Sequence, residues 1–102
     1  MASVIGNFSA GTTDNVLIAA IPGKTILVER HSVMVGGTAT AVTFNRKPAG
    51  AGVAVTPIYQ CGANGGINSE VPFESGVGEG ISVTVGSGST AGIHVDYAIL
   101  GS

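Results

Sequence analysis

The chain has no tryptophan, one cysteine, four basic residues and three leucines in 102 positions. Each shortage removes a class of protein. A lone Cys61 cannot close an intramolecular disulfide, so a stapled secreted scaffold is excluded and folding in the cytosol is the simplest account. Four Lys and Arg against six Asp and Glu give a formal net charge of −2, which is no electrostatic footprint for phosphate, and nucleic acid is not expected as a direct partner. The longest uninterrupted apolar run, Val16 to Ile21, falls far short of the roughly 20 residues that span a bilayer, so no membrane partner is expected. The start, Met1 to Gly6, has neither a basic residue nor a long apolar segment, unlike a secretory signal. Five aromatic residues, Phe8, Phe44, Tyr59, Phe73 and Tyr97, leave little to stack on a sugar, with Tyr59 the one plausible platform.

What is present points to strands. Val and Ile together number 22 and Thr nine. β-Branched side chains lose rotamer freedom in a helix and pack well on a pleated surface. Seventeen Gly and four Pro are spread along the whole chain, and each interior Gly would cost a helix about 1 kcal/mol, so helix content is expected to be close to nil. The length suits one domain with a modest core. Charged residues make up 10% of the chain against 44% hydrophobic. That composition excludes disorder and leaves a weakly charged surface, which suits burial against other chains.

Strand-like runs alternate with turn signals at sandwich spacing. Val4 to Ser9 precedes a polar stretch at Ala10 to Asp14, and Asn15 to Ile21 ends in the turn Ile21-Pro22-Gly23-Lys24. Thr25 to Val35 carries Ile26 and Val28 on one parity and Val33 and Val35 on the other, the mark of a β-bulge. Ala41 to Asn45 puts Val42 and Phe44 inward. Val53 to Tyr59 and Ile67 to Phe73 contain Pro57 and Pro72, which cannot donate to a ladder and so mark an edge or a break. Ile81 to Val85 and Ile93 to Ile99 alternate cleanly. The expectation is an all-β fold, a single antiparallel β-sandwich of about eight strands, jelly-roll-like. Residues 1–14 form an N-terminal arm or first strand that reaches another subunit, and residues 15–102 form the sandwich. Val42, Phe44, Ile81, Val83, Val85, Ile93, Val95 and Tyr97 are expected in the core.

No constellation points to catalysis. His94 and Asp96 share the outer face of the last strand, but a metal needs more ligands than two, and a polar strand face accounts for both. Glu29-Arg30-His31 is the densest charge cluster. Glu29 could orient His31 as a base across one strand face, yet a solvated bulge or an intersubunit salt bridge explains the cluster better. Cys61 has no nucleophile motif around it and reads as a small hydrophobe. Gly76 to Gly80 lacks the following helix and Lys-Ser/Thr of a phosphate loop and reads as a turn. No catalytic, cofactor-binding or metal-binding residue is expected, and the chain reads as a structural or binding module rather than an enzyme. Val4, Ile5 and Phe8, too apolar for a tail left in water, are the candidate interface.

Asn64-Gly65-Gly66-Ile67, then Val71-Pro72-Phe73, then Gly78-Glu79-Gly80-Ile81-Ser82-Val83 resemble the corresponding stretches of small β-sandwich virion proteins of tailed bacteriophages. So does Ile18-Ala19-Ala20-Ile21-Pro22-Gly23-Lys24, continuing into Ile26-Leu27-Val28. The likeness runs from about Gly11 to Leu100 and consists of turn chemistry. It implies an eight-stranded sandwich working as a homo-oligomer, often a trimer, as a decoration (cement) protein on the capsid or as a part of the tail. The sequence departs from that pattern at Glu29-Arg30-His31, where uncharged residues are common, and in lacking a Trp after the Pro-aromatic pair. A chain of 102 residues starting at its own Met, without a fibre or an anchoring domain, favours decoration. The expected role is therefore to stabilise a phage head by bridging major capsid subunits, after synthesis in the host cytoplasm. A tail or receptor-binding component for host attachment is the alternative, and a carbohydrate-binding module the third reading.

Overall fold

A computed structural model describes residues 2–101; Met1, where the expected arm begins, and Ser102, where the expected sandwich ends, lie outside the described residues. In the first sheet, β1 (Ala2–Phe8), β10 (Ala91–Gly101) and β3 (Lys24–Val35) lie side by side, and β7 (Gly66–Ser69) and β8 (Phe73–Glu74) both bond to the outer side of β3. In the second, β2 (Thr12–Ile18), β9 (Gly80–Val85) and β4 (Thr40–Lys47) follow one another, with β5 (Val53–Ala54) and β6 (Tyr59–Cys61) on the far side of β4. All these pairings are antiparallel. The protein is an all-β sandwich of two antiparallel sheets.

Among the described residues ten strands appear where eight are read from the sequence, because the two prolines divide their segments. Pro57 separates β5 from β6, and Pro72 separates β7 from β8. With each divided pair counted as one, the sheet orders become first-eighth-third-sixth and second-seventh-fourth-fifth, the order of a jelly roll.

The core lies between the sheets and comes from alternate residues of every long strand. Ile26, Val28, Val42, Phe44, Ile81, Val83, Val85, Ile93 and Val95 are all buried, and Tyr97 packs against them half-exposed. The parity change in β3 is a bulge. Asp96 pairs with Arg30 and Tyr97 with Val28, leaving Glu29 as the extra residue. Ile26 and Val28 therefore share the inner face with His31, Val33 and Val35.

The outer face of β9 is also covered. Asp14, held at a positive φ of 51°, extends its carboxylate over the sheet. Oδ1 accepts from Asn45 Nδ2 and Ser82 Oγ, each at 3.3 Å, and Oδ2 accepts from Gly52 N at 3.1 Å. Asn45 and Ser82 are buried, and the latch adds to the contacts of Asn45 Nδ2 with Thr84 Oγ1 at 3.1 Å and Ser82 Oγ at 3.4 Å, which together offset their desolvation. A Cβ at Gly52 would displace the Asp14 carboxylate from this position.

Candidate interaction surface

The outer face of the first sheet is a ladder of aligned residues. Strand register sets Ser3, Asp96 and Arg30 in one row, Ile5, His94, Ser32 and Asn68 in the next, and Asn7, Gly92, Met34 and Gly66 in a third. Asp96 organises the first row. Its carboxylate accepts from Ser3 Oγ at 2.6 Å, pairs with Arg30 Nη2 at 3.1 Å, and lies 3.6 Å from His94 Nε2. The Ser3 hydroxyl foremost, then the Arg30 and His94 charges, hold the Asp96 carboxyl below its ordinary range against the opposing effect of burial. In the second row Ser32 Oγ donates to Asn68 Oδ1. The glycines of the third row leave a shallow groove of about 410 Å³ bordered by Ile5, Met34, Ile67 and His94. A polar depression adjoins it, lined by Arg30, Asn68, Glu70 and Asp96.

The structure corrects the reading of Glu29-Arg30-His31. His31 is neither solvated nor in a salt bridge: it is 1% exposed, because the bulge at Glu29 rotates it to the inner face. Its ring packs on Phe44 and Phe73, with centroids 4.9 and 5.1 Å away. Nε2 lies 2.9 Å from the Tyr59 hydroxyl, and Nδ1 has no hydrogen-bond partner. Burial lowers the His31 pKa from its ordinary value. Glu29 therefore does not orient His31. Tyr59, read as an exposed platform, is half-buried and turned toward His31 instead.

The other singled-out residues lie apart. Cys61 is buried in the core, where desolvation raises its thiol pKa, as for an unreactive cysteine. Gly76 to Gly80 is a turn closed by Glu79, which accepts from Gly76 N at 2.7 Å and pairs with Arg46 at 2.8 Å. The Gly76 N–H is the main cause of a lowered Glu79 pKa. Among the described residues no three His, Cys, Asp or Glu side chains converge as metal ligands. Of the candidate interface residues, Val4 and Phe8 are half-buried against the core, and Ile5 projects outward at 72% exposure. The row containing Ser3, Arg30 and Asp96 escaped sequence reading, since its members come from three strands far apart in the chain.

No protein-family model matches the chain, and no curated protein matches it. Among solved structures, the Drosophila NLP core, a nucleoplasmin core described in terms of pentamer formation and histone binding, is similar over 96% of this chain and 99% of its own. Its identity is 12% and its TM-score 0.55. A family 4 carbohydrate-binding module covers 98% of this chain and 84% of its own at 14% identity and a TM-score of 0.44. A family 16 carbohydrate-binding module covers 92% and 74% at 10% identity and 0.36. At these identities the likeness concerns the β-sandwich fold alone.

Proposed function

We propose that this protein is a structural component of a tailed-phage virion: a non-catalytic decoration protein on the capsid surface that bridges neighbouring major capsid subunits. The observation carrying the proposal is the placement of apolar side chains outside the sandwich. Ile5, Met34, Ile58, Val71 and Val77 are each at least 62% exposed. They lie in β1, in β3, between β5 and β6, between β7 and β8, and in the turn before β9. Contact with a partner at one site would leave the others in water; a place in a shell, touching several neighbours, covers more than one. Such contacts are little screened by salt. A modest interface of about 1,000 Å² repeated over a closed lattice accumulates into large stabilisation.

The test is to strip the protein from purified particles and measure the temperature at which DNA escapes, together with adsorption to cells. The expected result is a lower escape temperature with unchanged adsorption. The groove beside His94 favours a second reading, a host-attachment component that binds a small ligand on the outer sheet face. Lost adsorption with unchanged particle stability would select that reading and reject the first.

A further inference from the structure

Among the described residues, the sheet edges are unequal. β2 is broken by two register shifts and carries Asp14 at positive φ. β5 and β6 are two and three residues long with Pro57 between them, and β7 and β8 four and two with Glu70 and Pro72 between them. Short strands, prolines, charges and irregular register all deter pairing with another chain. β1 has none of these. Its seven residues run in unbroken register with β10, without proline or charge. Its surroundings are apolar: Val4 and Phe8 with Leu17 of β2 are half-buried along the narrow side of the sandwich, flanked by exposed Ile5 and Val16. Asp14, the charge carried by β2, is turned away toward Asn45, Ser82 and Gly52.

We propose that β1 pairs antiparallel with β1 of a second copy of this chain, about a two-fold axis through Ile5. The strand is self-complementary in that register. On the outer face Ile5 opposes Ile5 and Ser3 opposes Asn7. On the inner face Ala2 opposes Phe8 and Val4 opposes Gly6, a large side chain against a small one each time, and no charge meets its like. The first sheets of the two copies join into one, and their narrow sides face each other. For a body of 43 × 26 × 19 Å a narrow side has an outline of at most about 800 Å², so the interface is at most of standard size. The two-fold pairing differs from the trimer implied by the resemblance. It rests on the geometry of β1 and its surroundings and not on capsid contact, so its test needs no particles.

Light scattering on the intact chain at micromolar concentration should give twice the 10.0 kDa chain mass. Ile5→Lys should give the single mass with an unchanged circular dichroism spectrum, because Ile5 is exposed. Under mild oxidation Ile5→Cys should cross-link to dimers. Ser3→Cys alone should not, since in this register its two copies are about 13 Å apart along the strand, beyond disulfide reach. An equimolar mixture of Ser3→Cys and Asn7→Cys should cross-link again. Buried Cys61 adds little background. A monomeric or trimeric mass for the unmodified chain, or Ser3→Cys cross-linking as readily as Ile5→Cys, would overturn the proposal.

Discussion

His31 is a neutral imidazole among Phe44, Phe73 and Tyr59, and the fold resists its protonation. The unfolded chain, with the ordinary histidine pKa near 6.5, binds that proton more readily than the folded protein. The stability linked to His31 is thus complete above the unfolded value and is lost as pH falls through it toward the lowered folded one. Urea midpoints should drop across that window, and His31→Leu should flatten the drop; an equally steep drop in the variant would place its origin elsewhere. The carboxyls of Asp96 and Glu79, lowered in the fold, add losses only at more acidic pH. Packing should be equally site-specific. Phe44→Ala, at a fully buried position, should cost about 3–5 kcal/mol, and Val16→Ala, on the surface, within about 0.5 kcal/mol. The inward turn of His31 was hidden in the sequence by its charged neighbours, although the parity change two residues later held the clue: the bulge that moves Val33 and Val35 to the core face moves His31 with them.

At the scale of elements, signals confined to one segment were legible and those made across segments were not. The mid-strand bulge of β3 and the breaks at Pro57 and Pro72 follow from local chemistry, and each is visible as a change of parity or a missing donor. The Asp14 latch joins β2, β4, β9 and the loop at Gly52, and nothing around Asp14 in sequence announces those partners. Two substitutions probe it. Asp14→Ala removes the acceptor of Ser82 and one of those of Asn45, which keeps Thr84, and places alanine at positive φ, and it should cost about 1–3 kcal/mol. Asp14→Asn keeps a side-chain oxygen and tolerates that φ, so it should retain most of the stability. Equal denaturant midpoints for the two variants would show that the carboxylate contacts contribute little. The same logic explains the groove beside His94: alternation placed His94 and Asp96 outward, but only the pairing of β1, β10, β3 and β7 brings Ser3, Arg30 and Asn68 to them.

At the scale of the whole molecule, strong alternation and many turn signals suffice to specify a sandwich. With each divided pair counted as one, successive segments change sheet at every step except from β4 to β5, so most strand partners are distant in sequence and folding should be slow for this size. What the molecule does depends on its outside, where charge is sparse and large apolar side chains are exposed on several sides. The proposed account gives that surface one role, contact with copies of itself and with a capsid lattice. Electron cryomicroscopy of the virion that encodes the chain tests this most directly. The account predicts density for this sandwich at repeated positions on the head shell, with exposed apolar residues such as Val71 and Val77 facing capsid subunits. Density on the tail alone, or heads bare of it, would contradict the account.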